Sequence, residues 1–188
     1  LGEQGRGALE HFGLHSERIV LVGTLGKAAG LCGAFVVAHA RIVEYLLQAA
    51  RPYIFTTASL PAVAHALLAS LDLVQGEAGR ERRARLQVLQ WHLRDGVAAL
   101  LERHPRLTWR LADSRTPIQP LIVGDNAGVM ALAARLDGAG LRVPGIRPPT
   151  VPPGQARLRI ALCATHGTAD VDRLLSGLES AARHLEPA

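Results

Sequence analysis

The stretch VGTLGKAAG, residues 22–30, sets one amine among glycines and apolar side chains. Lys27 is the single lysine of the 188-residue chain; every other one of the 21 Lys+Arg positions is an arginine. On most exposed surfaces arginine serves as well as lysine. The two differ in chemistry, because a guanidinium keeps its proton and is a poor nucleophile. A desolvated amine can lose its proton and attack a carbonyl to form a Schiff base. Lys27 therefore reads as a candidate nucleophile, against the competing reading of an idle loop lysine. A phosphate loop is excluded: it needs a glycine five residues before Gly26 and a hydroxyl after the lysine, where Leu21 and Ala28 stand.

Thr24 adds a hydroxyl three residues before Lys27. With a backbone amide near a strand end, such a hydroxyl can hold a phosphate. Amine and phosphate contact together point to a phosphorylated carbonyl cofactor, pyridoxal phosphate. Against this, a threonine in a turn often only satisfies the backbone.

Working outward, residues 18–23 and 33–38 are short apolar runs ended by glycine or flanked by it, and read as buried strands around the Lys27 loop. A helix is expected over 40–50, an extended connection over 51–57, and a helix from Pro61 to about Leu73 with Ser59 as its cap. A long helix follows over 80–104, with Leu86, Leu89, Leu93, Val97, Leu100 and Leu101 as its buried stripe. Beyond Pro105 the pattern becomes α+β: strands over 107–111, 117–123, 141–146 and 157–163, a helix from Asp125 or Asn126 to about Leu136, and a last helix over 168–184. The expected division is residues 1–104 and 105–188.

Composition excludes several classes. The chain is 48% hydrophobic and 20% charged, enough to bury a core. Its formal charge of +5 is spread from Arg6 to Arg183, and only 4% of residues are aromatic, which argues against a nucleic-acid face. The eight histidines show no metal spacing, and His166 reads as a helix-start residue. No apolar run is long enough to span a bilayer. Cys32 and Cys163 lack Cys-x-x-Cys spacing and read as buried thiols of a reducing, cytoplasmic compartment.

The motifs GTLGKAAGLCGAFV, RPYIFTTASLPA, IQPLIVGDNAGVMALAARL and GIRPPTVPPGQARLRIALCATH together resemble the α-oxoamine synthases, pyridoxal-phosphate enzymes of the aspartate-aminotransferase fold. The likeness runs the whole length, and TLGKA with IRPPTVP is its most specific part. It implies an α/β fold: the C-terminal part of a fold-type-I pyridoxal-phosphate enzyme, a remnant of the large-domain sheet plus a small α+β domain. It also implies decarboxylative condensation of an amino acid with an acyl thioester. The IRPPTVP signature points within the family to L-alanine and a pimeloyl thioester, carried on coenzyme A or acyl carrier protein. Glycine or serine with an acyl-CoA is the alternative, and a non-catalytic module that kept the fold is a third reading.

Carried over residue by residue, the resemblance makes Lys27 the cofactor lysine and the base for the α-proton. It makes Thr24 a phosphate ligand and Thr150 a substrate contact. Arg159 becomes the clamp for the amino-acid carboxylate, since a guanidinium forms two parallel bonds to it. Arg147 is assigned to the acyl or product carboxylate, against a loop arginine packed on prolines. Thr57 is assigned to the phosphate of a neighbouring subunit in a homodimer. The family also uses an aspartate at the pyridine nitrogen and a stacking histidine, both from a segment ahead of the lysine. The first aspartate here is Asp72, far past Lys27. The expectation is a C-terminal half with little or no activity alone.

Overall fold

The computed structural model describes residues 2–185. The chain divides into two compact units, Leu1–Glu81 and Arg82–Ala188.

The first unit contains α1 (Ala8–His11), β1 (Leu21–Thr24), β2 (Ala34–Val37), α2 (Ala40–Ala49), α3 (Arg51–Ile54) and α4 (Pro61–Gln75). Strands β1 and β2 pair antiparallel, with Leu21 opposite Val37 and Thr24 opposite Ala34. They form a hairpin whose connecting loop carries Lys27. Gly23 faces Phe35 across the ladder, and a Cβ there would lie 2.3 Å from the ring. Glycine is what lets the aromatic ring lie over the strand.

Three expectations fail in this unit. The connection over 51–57 is not wholly extended, because α3 forms a helical turn closed by Ile54 N–H to Ala50 O and Phe55 N–H to Arg51 O. Pro52 sits in its first turn, where the missing N–H has no helical partner to lose. The residue before α4 is Leu60, with no side-chain cap, rather than Ser59; Pro61 begins the helix as expected. The strands are also not buried. No residue from 2 to 78 is buried in this structure, and Val22 and Val37 are 65% and 57% exposed.

The second unit takes up α5 (Glu77–Arg103) from Arg82 onward, then β3 (Arg110–Leu111), β4 (Ile118–Gly124), α6 (Asn126–Gly138), β5 (Gly145–Ile146), β6 (Ala156–Ala161) and α7 (Thr168–Leu185). Its four strands form an antiparallel sheet in the order β3-β4-β6-β5. The core joins Leu89, Leu93, Val97 and Leu100 of α5 to Leu121 and Val123 of β4 and to Val129, Leu132 and Leu136 of α6. Leu158 and Ile160 of β6 and Val171, Leu174 and Leu178 of α7 complete it. Each such side chain contributes about 1.5–3 kcal/mol on burial. The stripe expected on the long helix is this face, with Leu86 and Leu101 partly buried beside it. That stripe packs within Arg82–Ala188, so α5 from Arg82 onward shares its core with the strands and helices that follow it.

Strands β3 and β5 are shorter than expected. Leu107 N–H turns back to His104 O, and Leu141 N–H closes the end of α6 on Leu136 O, so neither residue enters the ladder. Asp125 caps α6 by accepting from Gly128 N–H at 2.6 Å, which decides between the two candidate caps.

Candidate functional site

The Lys27 loop is built by its own backbone. Leu25 N–H donates to Gly33 O at 2.9 Å, Leu31 N–H to Leu25 O at 2.9 Å, and Gly30 N–H to Lys27 O at 3.0 Å. Gly30 and Gly33 take φ of 67° and 117°, a region costly to side chains, so the loop needs glycine at both. The result is a closed loop that joins the two strands of the hairpin. Lys27 Nζ donates to Thr24 Oγ1 at 3.3 Å, and both side chains are exposed. The pair read from sequence is thus brought together: an amine beside a hydroxyl at a strand end. These groups fit the aldehyde and phosphate ends of pyridoxal phosphate.

Thr57 lies in the exposed segment between α3 and α4. No hydrogen bond among the described residues links it to Lys27 or Thr24. Sequence reasoning passed over Ser70, whose Oγ donates to Ala29 O at 2.8 Å and so ties α4 to the loop. The available signal was its place as the one serine in PAVAHALLASLDLVQ, a helix otherwise rich in alanine and leucine.

In the second unit, Arg147 and Thr150 share a turn. Thr150 N–H donates to Arg147 O at 3.1 Å, and the Pro148–Pro149 peptide between them is cis. Both side chains are exposed. Arg159 stands on β6, opposite Pro120, with its N–H on Pro144 O at 2.9 Å. The alternation of β6 sends Leu158 and Ile160 into the core and leaves Arg159 exposed. Arg159 lines a cavity of about 380 Å³ together with Arg142, Arg173, His166 and Asp170. Three guanidiniums against one carboxylate make this an environment that favours anions. The proline turn and Arg159 are not hydrogen-bonded to each other.

His166 serves the turn before α7: its Nδ1 accepts from Cys163 N–H at 3.3 Å, and its carbonyl accepts from Arg85 Nε at 3.0 Å. These bonds close the turn between β6 and α7, and it is Asp170 that accepts from Gly167 N–H at 2.9 Å at the start of the helix. The cysteines correct another expectation, since both are exposed free thiols. Cys32 lies in the Lys27 loop, and Cys163 lies in the turn after β6. There the Thr165 hydroxyl, 2.9 Å from Sγ, holds the Cys163 thiol below its ordinary value.

Among the described residues no helix is long and apolar enough to cross a membrane, and no group of three or more His, Cys, Asp or Glu could hold a metal ion.

Comparison with known proteins places these observations in a family. A family model described as aminotransferase class I and II matches residues 5–178. The chain is 64% identical over 185 residues to 8-amino-7-oxononanoate synthase 2 of Polaromonas sp. strain JS666, covering 98% of this chain and 46% of that protein. Among solved structures, it resembles serine palmitoyltransferase from S. paucimobilis with a bound PLP–myriocin aldimine, with a TM-score of 0.84 at 30% identity. That match covers 98% of this chain and 44% of the other. It also resembles 8-amino-7-oxononanoate synthase from Francisella tularensis, with a TM-score of 0.75 at 28% identity over 98% of this chain and 52% of the other. The chain spans about half the length, or less, of these relatives. With a family model covering most of its residues, the chain belongs to the aminotransferase class I and II family.

Proposed function

We propose that this chain is the lysine-bearing part of a pyridoxal-phosphate-dependent 8-amino-7-oxononanoate synthase. The reaction is decarboxylative condensation of L-alanine with a pimeloyl thioester, pimeloyl-CoA or pimeloyl-acyl carrier protein, in biotin biosynthesis. The observation that carries the reading is the Lys27–Thr24 pair on its closed loop, in a chain 64% identical to a protein of that name.

When bound, pyridoxal phosphate supplies an electron sink for negative charge at the alanine α-carbon. The work of the chain's own residues follows from their chemistry. Lys27 Nζ would hold the cofactor at its carbonyl carbon, and its free amine would serve as the base for the α-proton of alanine. The Thr24 hydroxyl would hold the cofactor's phosphate beside the amine. Thr57 would hold the phosphate of a second subunit in a homodimer. Arg159 holds the alanine carboxylate in a two-bond fork, and the Arg142 and Arg173 charges around it favour that anion. Thr150 contacts the substrate, and Arg147 receives the distal carboxylate of the pimeloyl chain. On this reading residues up to the end of the long helix belong with the cofactor-binding domain, and 105–188 form the small domain. Two free thiols suit a cytoplasmic setting.

A second reading, condensation of glycine or serine with an acyl-CoA, draws on the likeness to serine palmitoyltransferase. The identity of 30% there against 64% to the oxononanoate synthase favours alanine. The test is the full-length protein carrying this chain, assayed with alanine, glycine and serine against pimeloyl-CoA and palmitoyl-CoA. The expected result is aminoketone from alanine and pimeloyl-CoA, with borohydride fixing the cofactor on Lys27. Product only from serine would replace the reading with the second, and a protein that binds no pyridoxal phosphate would overturn both.

A further inference from the structure

We propose that Ser70 is a positioning residue for Lys27. A serine inside a helix usually turns its hydroxyl to solvent or to the carbonyl one turn back. Ser70 does neither. Its Oγ, half-buried, donates at 2.8 Å to Ala29 O, 41 residues away and two residues past the amine. The loop's internal bonds close on the same few atoms: Gly30 N–H on Lys27 O, and Leu31 N–H on Leu25 O. These bonds give the loop its shape, but they do not hold it against anything outside itself. The Ser70 bond anchors it to α4 at Ala29, inside the turn that Gly30 N–H closes on Lys27 O. An amine that must first bond a carbonyl carbon and then reach a proton needs one fixed approach, and small displacements are costly to such chemistry. Ser70 acts through the Ala29 carbonyl on the direction of Lys27.

The inference rests on the reading of Lys27 as the cofactor lysine. Its test uses the full-length protein with Ser70→Ala and Ser70→Thr, and Ser70→Cys as a size-matched weak donor should the alanine variant not fold. Without cofactor, the amides of Gly30 and Leu31 should exchange hydrogen about fivefold faster in S70A, the loss of roughly one net hydrogen bond. With cofactor, kcat should fall about tenfold while KM for alanine stays within about twofold, since binding groups are untouched. The pH midpoint of the bound cofactor's visible absorbance should shift with it, and S70T, which keeps the hydroxyl, should restore all three. Unchanged exchange in S70A overturns the tie itself. Faster exchange with an unaltered kcat and pH midpoint, or an S70T variant no better than S70A, overturns the role in catalysis. A parent protein that binds no pyridoxal phosphate overturns the reading of Lys27 and with it the catalytic half of the proposal; the cofactor-free exchange still decides the tie.

Discussion

At the scale of single residues, the proposed chemistry turns on two cations that are not interchangeable. Lys27 is useful because its nitrogen can lose a proton and re-form a bond, and Lys27→Arg keeps the charge while removing that ability. In the full-length protein K27R should lower kcat by about 10²–10⁴-fold or more, the range for loss of a positioned proton carrier, and abolish borohydride trapping at this position. Retention of trapping on K27R would place the cofactor on another residue. Arg159 presents the opposite case. Its planar fork can grip a carboxylate through two bonds, whereas a lysine offers a single ammonium. R159K should raise KM for alanine about tenfold with a smaller change in kcat. Steady-state kinetics in alanine separate the two parameters, and an unchanged KM would remove Arg159 from the substrate site.

At the scale of elements, the second unit is clamped where α5 meets α7. Glu179 of α7 accepts from Arg103 Nη2 at 2.9 Å and lies 2.9 Å from His104 Nε2, with Arg183 Nε at 3.4 Å on the same oxygen. His104 and Arg103 together draw its carboxyl down to about 2. A carboxyl depressed on folding adds stability that is present above its unfolded value, near 4.3, and is lost as pH falls through its folded value. The window is therefore about pH 4.5 down to about 2. Thermal unfolding should show falling stability across that window, and Glu179→Gln should flatten the slope and cost about 1 kcal/mol at neutral pH. An unaltered acid slope in E179Q would show that other carboxyls set it.

At the scale of the whole chain, the two units differ in what holds them. Residues 82–188 carry a continuous core, from Leu89 and Leu93 to Leu178. Residues 2–78 carry no buried side chain, and Phe12, Phe55 and Leu60 are 67%, 76% and 70% exposed. Local hydrogen bonds alone do not offset the entropy of ordering a chain; burial must supply the rest. A fragment of residues 82–188 should melt cooperatively with a helical far-ultraviolet signal, and a fragment of residues 1–81 should give no cooperative transition. A sigmoidal melt from the shorter fragment would show that its hairpin and helices find a core of their own.

What the sequence determined by itself was whatever depends on neighbours in the chain. The lone lysine with its glycines and Thr24 marked the amine and hydroxyl that meet on the loop, because loop shape and hydroxyl spacing are set within a few residues. The period of Leu89, Leu93, Val97 and Leu100 marked the buried face of α5 for the same reason. Tertiary structure decided the rest. It assigned that face to the second unit and stopped β3 and β5 after two residues each. It left Arg159 on the rim of a basic cavity and sent the Ser70 hydroxyl to a carbonyl 41 residues away. Each of these is a contact between segments distant in sequence, and no local periodicity or composition encodes which distant partner a side chain will meet.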